Sequence, residues 1–209
     1  YSRGNLAVEY PVLQGTVMWV TAELLPKGPI SYFYGNAILI ALLFIFTAWI
    51  TFRIKPEYSY LLSCAPAVIA SMFINWDLWG IATMMLAIYW FDRKSDLPSA
   101  IAMGISIATK FFPIILLIPI AIITFRAQSL QRFVKYLATA TATFVVINLP
   151  FVITTPQGWW RFYSLNLHRG SDWGSLWYGL SGLGVDLTHQ NYLSVLCLMI
   201  GITGLIIYL

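Results

Sequence analysis

Lys110 stands between Ile107-Ala108-Thr109 and Phe111-Phe112-Pro113-Ile114-Ile115-Leu116-Leu117. An ammonium group at that depth in an apolar run is expensive unless it meets a counter-charge or water. A compact cation there suits an anionic ligand, most naturally a lipid phosphate, which it meets as a point charge. A lysine snorkelling from a helix end to headgroups is the plainer alternative. Asn75-Trp76-Asp77 is a polar break between two apolar runs. Either it caps the helix that follows, or Asp77 faces a cavity and takes the proton of a substrate hydroxyl. Glu9, in Glu9-Tyr10-Pro11, is a second candidate base, or a solvated loop acid.

The densest polar and aromatic cluster lies in residues 154–190. Thr155-Pro156 reads as an N-cap and first helical residue, and Gly170 as a stop. Between them Trp160, Tyr163 and Leu167 share one helical stripe, and Arg161, Ser164 and His168 a neighbouring one. That pattern predicts an interfacial helix, apolar towards lipid and polar towards headgroups or a cleft. His168-Arg169-Gly170-Ser171-Asp172-Trp173-Gly174 follows, with Trp177 and Tyr178 beyond. Arg161, His168 and Arg169 are candidate phosphate ligands, since guanidinium groups bind phosphate in bidentate fashion. Tyr10, Asn75, Asp172, Trp173, Trp177 and Tyr178 are candidates for holding sugar or acceptor through ring faces and hydrogen bonds. His168 taken alone also reads as an ordinary interface histidine.

These residues must be positioned by membrane-embedded helices. Of 209 residues, 59% are hydrophobic and 10% charged, against about 25% charged in a soluble domain. A soluble fold of this size has too little interior for so much apolar surface. Disorder, collagen, coiled coil and disulfide scaffolds are excluded too. The net charge of +4 is spread over short loops, which points to orientation in a bilayer rather than to nucleic acid. Cys64 and Cys197 lie in apolar runs and read as buried, inert thiols. A chain running from Tyr1 to Leu209, mid-way through an apolar run, reads as a fragment with terminal spans missing.

Candidate spans are Ile30–Thr51, Tyr58–Ile74, Leu78–Phe91, Pro98–Phe125, Phe133–Ile153 and Asn191–Leu209. The fourth is too long for one ordinary span of about 20 residues and carries Lys110 and Pro113 near its middle. It is either one kinked helix or two short helices joined at 110–113. The joined pair is preferred, because it brings Arg53, Lys55, Arg93, Lys94, Arg126, Arg132 and Lys135 to one side, as the positive-inside rule expects. Lys27, residues 75–77, 110–113 and 154–190 then share the outer face. Tyr10–Leu25 is short and interrupted by Gln14 and Glu23, so it reads as interfacial or re-entrant, with a true span as alternative. Small residues in 99–109 and 138–143 allow close helix packing. The expected fold is all-α, a polytopic transmembrane bundle over 1–209, with interfacial or re-entrant helices on the outer face and an outer loop at 154–190. No His/Cys zinc spacing, P-loop, dinucleotide glycine pattern or Gly-x-Ser-x-Gly elbow is found.

Three motifs carry a family resemblance. Glu9-Tyr10-Pro11-Val12-Leu13 resembles the Tyr-Pro-Pro-Leu-like element of the family 87 glycosyltransferases, and Asn75-Trp76-Asp77-Leu78 resembles their Asn-x-Asp turn. Gly104 to Ile114, with Lys110-Phe111-Phe112-Pro113, resembles their Gly-rich helix ending in Lys-aromatic-aromatic-Pro. Order and rough spacing agree over residues 9–180, and 168–177 is similar to actinobacterial members. The resemblance implies a GT-C membrane fold in the plasma membrane. It implies metal-independent, inverting transfer of mannose or a related hexose from a polyprenyl-phosphate donor to a glycolipid or lipoglycan on the outer face. No cofactor is expected. Such enzymes use an acid in the first outer loop as base, which here is Glu9, Asp77 or a residue upstream of Tyr1. A transporter or flippase for a lipid-linked or small anionic solute is the competing class, since broken helices and an intramembrane lysine also mark transporters.

Overall fold

The computed structural model describes residues 8–66, 68, 72–168, 170 and 175–208. It is all-α, with no strand among the described residues. The helices are α1 (Val12–Leu24), α2 (Pro29–Ile54), α3 (Ser59–Ser63), α4 (Asp77–Asp92), α5 (Asp96–Thr109), α6 (Leu117–Arg126), α7 (Leu130–Thr154), α8 (Pro156–His168), α9 (Leu176–Gly182) and α10 (Gln190–Tyr208). Three of them, α2, α7 and α10, are long and apolar enough to cross a membrane. The chain is an all-α membrane protein.

Small residues put α5 at the centre. Ala100, Ala102, Met103, Ile107 and Ala108 are buried between α4 and α7. A Cβ on Gly104 would sit 2.5 Å from the Ala140 carbonyl oxygen and 2.6 Å from Thr143 Cβ, so only glycine permits this approach of backbones. Polar atoms fasten the seam. Ser106 Oγ donates to the Gly80 carbonyl (2.8 Å), and Ser99 Oγ to that of Ala87 (2.7 Å). With its one hydrogen used, Ser99 accepts from the Tyr136 hydroxyl at 2.9 Å.

These contacts also orient the helices. Gly80 meets Lys110 and Ala87 meets Ser99, so α4 and α5 are antiparallel. Arg132 grips Asp96 with two bonds, 2.6 and 2.7 Å, which brings the starts of α5 and α7 together and makes these helices parallel. The segment between them must therefore reverse. It does so at Lys110, whose backbone is extended, followed by a 3-10 turn over Phe112–Leu116 and the returning α6. The joined pair of short helices is thus what forms. Arg93, Lys94, Arg126 and Arg132 gather at one end of the bundle; Asp77, Lys110 and the end of α7 lie at the other.

The turns at the basic end had no glycine to announce them. Ser95 N–H bonds to Trp90 O and Lys94 N–H to Phe91 O; Ser129 and Gln128 repeat the pattern on Thr124 and Phe125. Both are Schellman endings, with Lys94 (φ 58°) and Gln128 (φ 50°) in the left-handed region.

Other expectations change. The stretch Tyr58–Ile74 does not form one span: α3 ends at Ser63, followed by a turn at Cys64. Helix α1 is only 13 residues long. Tyr10, just before it, meets Lys110, while Leu25, just after it, packs on Gly35 near the start of α2. Tyr32 of α2 in turn faces Trp76. Both ends of α1 therefore lie at the Lys110 end. Cys64 and Cys197 are exposed on the chain's surface, not buried.

Candidate functional site

Helix α5 stops because Lys110 leaves the helical conformation; Phe111 is helical again, and Pro113 falls in the first turn of the 3-10 segment, where its missing N–H costs nothing. The lysine's stem lies flat on Gly80, where an added Cβ would be 2.8 Å from Lys110 Cβ. Its ammonium reaches Asp77 Oδ1 at 2.6 Å; the lysine side chain is 13% exposed and the aspartate 46%. Asp77 opens α4 but makes no capping bond, and Asn75 accepts from the Trp76 N–H within the turn. The cap reading of this break is not what forms, because the strong counter-charge nearby is Lys110.

Tyr10 covers the pair. Its ring lies 4.6 Å from Lys110 Nζ, a cation–π distance, and its hydroxyl donates to Asn75 Oδ1 at 3.3 Å. The next residue back, Glu9, binds Arg161 of α8 at 2.9 Å. Residues 9–10, 75–77, 110 and 161 therefore form one network of two ion pairs bridged by an aromatic residue.

Beside Lys110 and Asp77 opens a cavity of about 570 Å³, walled by Phe111, Phe112, Trp160, Tyr163 and Leu167 among others. This size suits an ordinary ligand of a few hundred Å³. Helix α8 is laid along it by Trp159, whose indole N–H donates to Asn148 of α7 at 2.8 Å. Phe111 meets Tyr163 edge-on at 5.8 Å. Burial pushes the Tyr163 phenol above its ordinary pKa. The stripe Trp160-Tyr163-Leu167, read from sequence as facing lipid, contributes to the wall of this cavity, with Trp160 and Leu167 largely exposed.

Of the proposed site residues, Glu9, Tyr10, Asn75, Asp77, Lys110 and Arg161 come together. His168 ends α8, is exposed, and has Nδ1 2.7 Å from the Ser164 carbonyl; Asn166 and Leu167 line the cavity where it does not. Trp177 and Tyr178 are on α9, away from the cavity lining. Arg169, Asp172 and Trp173 lie outside the described residues. Sequence reasoning missed Tyr163, Phe162 and Asn166 as site residues. The spacing that groups Tyr163 with Trp160 was visible, but not which way that stripe turns.

No curated protein and no solved structure matches the chain. A family model does, over residues 16–174, described as ALG3 protein. The match does not extend to glycosyltransferase family 87 or to an actinobacterial source; it shares with the motif resemblance the transfer of mannose in a membrane. It takes in Asn75, Asp77, Lys110 and Arg161, and with it this chain is shown to belong to the ALG3 protein family, membrane mannosyltransferases that draw on a lipid-linked sugar donor.

Proposed function

We propose that this protein moves mannose from a polyprenyl- or dolichyl-phosphate donor to a glycolipid or lipoglycan acceptor, with inversion, in a GT-C-type fold. The observation that carries the reading is the Lys110–Asp77 pair on the wall of a ligand-sized aromatic cavity. A donor phosphate competes for Lys110. When it takes the ammonium, Asp77 is left with a free carboxylate. The acceptor oxygen then attacks C1 of mannose while its proton passes to Asp77. The C1–O bond to phosphate breaks, and the leaving lipid phosphate keeps the electron pair, its charge met by Lys110. Phe111, Phe112, Trp160 and Tyr163 exclude water and orient the sugar. Arg161, steadied by Glu9, supports the donor headgroup, with His168 and Arg169 nearby in sequence. Asp172, Trp173, Trp177 and Tyr178 belong to the acceptor side, in the outer loop 154–190.

The side of the membrane follows from charge. Arg53, Lys55, Arg93, Lys94, Arg126, Arg132 and Lys135 belong to the bundle end opposite Lys110, and basic loops stay cytoplasmic. The site then opens on the extracytoplasmic face of a multi-pass plasma-membrane protein.

The test is turnover of labelled dolichyl- and polyprenyl-phosphate mannose by the full chain in detergent, with a pool of lipid-linked glycans as acceptor. Detergent removes the second compartment that a transporter needs. Labelled glycolipid is expected from the native chain. Lys110→Ala is expected to lose transfer, and Lys110→Arg to recover it only in part, because a fork and a point charge differ in shape. Undiminished transfer by Lys110→Ala would overturn the reading.

A further inference from the structure

At the bundle end away from Lys110, a cavity of about 580 Å³ opens between the start of α5 and the first turns of α7. Its charged members are Asp96, Arg132 and Lys135, two cations against one acid. Asp96 is already met, since it accepts from Arg132 Nε at 2.6 Å and from Nη2 at 2.7 Å. That fork, with the Phe91 ring 5.1 Å from the guanidinium carbon, fixes the group and leaves its Nη1 edge unspent. Lys135, one turn further along α7, is exposed, and its ammonium meets no acid among the described residues. Ser129 stands at the N-cap of α7 and makes no capping bond, so its hydroxyl is a further unspent donor in the same wall. Like charges three residues apart on a helix repel, and an anion between them turns that repulsion into attraction. The flank is apolar: Leu97 lines the cavity at 64% exposed, and Ile101 follows one turn on along α5 at 39%.

From this combination we infer that the cavity binds the phosphate headgroup of an anionic glycerophospholipid. The phosphate oxygens accept from Lys135 Nζ, Arg132 Nη1 and Ser129 Oγ, at the positive start of α7. An acyl chain rests on the exposed side chains of Leu97 and Ile101. A free phosphate would meet the same cations but gain nothing from that apolar flank, so a membrane lipid is the source. Basic pockets between membrane helices on the cytoplasmic side suit such headgroups, and this is the cytoplasmic end in the orientation argued from charge above. The bound lipid reinforces the Asp96–Arg132 clasp that joins the starts of α5 and α7. The site lies at the opposite end of α5 from Lys110, and it rests on the chain's place in a membrane, not on sugar transfer.

The experiment is native mass spectrometry of the full chain in a neutral detergent, titrated with dioleoylphosphatidylglycerol or dioleoylphosphatidylcholine. Thermal melts with each lipid, and with inorganic phosphate, run beside it. The native chain is expected to hold one phosphatidylglycerol at least about fivefold more tightly than phosphatidylcholine and to melt higher with it, while inorganic phosphate leaves the melt unchanged. Lys135→Gln is expected to lose about fivefold in phosphatidylglycerol affinity, the worth of one basic residue near an anionic headgroup. Ala138→Trp, which keeps every charge and fills the cavity, is expected to lose the preference as well. Lys55→Gln, which removes a cation beyond the end of α2 and outside the cavity, is expected to keep it. Melts of the variants in phosphatidylcholine that match the native chain show that they fold. Equal binding of the two lipids by the native chain, an undiminished preference in Lys135→Gln, or a loss in Lys55→Gln as large as in Lys135→Gln overturns the inference. A melt raised by inorganic phosphate as much as by phosphatidylglycerol overturns the lipid as the source.

Discussion

Replacing Gly80 by alanine puts a methyl carbon 2.8 Å from Lys110 Cβ and 2.9 Å from Cγ. Carbon atoms rest at about 3.5–4 Å, so something must move by roughly 0.7–1 Å. Helix α4 has little freedom to give, since the Gly80 carbonyl is held by Ser106 at 2.8 Å. The displacement falls on Lys110, at the edge of α5, and lengthens its 2.6 Å contact with Asp77. A misplacement of about 1 Å in a reacting group costs on the order of 10²-fold in rate. Stability changes far less. Overpacking costs about 1–3 kcal/mol, and alanine returns about 1 kcal/mol of helix propensity over glycine. Gly80→Ala is therefore expected to melt within a few degrees of the native chain while its mannosyl transfer falls about a hundredfold. Initial rates at saturating donor, with a thermal melt on the same preparation, make the check. Native-level transfer by a folded Gly80→Ala protein would refute the reasoning.

Gly104→Val forces α5 from α7, because its Cβ has 2.5 Å to the Ala140 oxygen; a loss of about 3 kcal/mol is expected in a detergent melt. Gly201→Ala, inside α10 with nothing within 4 Å, is expected to stabilise by up to about 1 kcal/mol in the same assay, the helix-propensity gain without a clash. Lys94→Gly and Gln128→Gly relieve left-handed backbone at φ 58° and 50°, and each is expected to stabilise by about 1 kcal/mol. The raised pKa of Tyr163 means the folded chain holds a proton that the unfolded chain loses at about pH 10. Its stabilising effect is full below that pH and fades as pH rises through the folded value. A melting series above pH 9, steeper for the native chain than for Tyr163→Phe, checks the sign.

Much of the frame was legible because membrane sequences announce a few things strongly. Pro113 and a lysine inside an apolar run mark a break, and the basic loops say that the chain reverses there. The small residues of α5 announce close packing. The direction of α8 was not legible. In a soluble helix the apolar stripe faces the core, but here lipid and cavity are both apolar, so Trp160, Tyr163 and Leu167 carried no sign of which they face. Pairings across the fold were hidden for another reason. Glu9 and Arg161 are 152 positions apart, and nothing local distinguishes an acid held by a distant arginine from a solvated one. Asn75 and Asp77 looked like caps because local capping is the usual use of such residues, yet a stronger charge partner lay on another helix. The Schellman turns escaped notice because Lys94 and Gln128 stand where glycine would have signalled them.

The account depends on Asp77 and a donor phosphate competing for the Lys110 ammonium. The direct measurement is donor affinity and turnover of Asp77→Asn beside the native chain, by titration with dolichyl-phosphate mannose and by single-turnover transfer. Asp77→Asn is expected to bind the donor at least as tightly, since the rival for Lys110 is gone, while transfer falls by about 10²–10⁴ for want of a base. Weaker donor binding, or transfer at the native rate, would contradict the account.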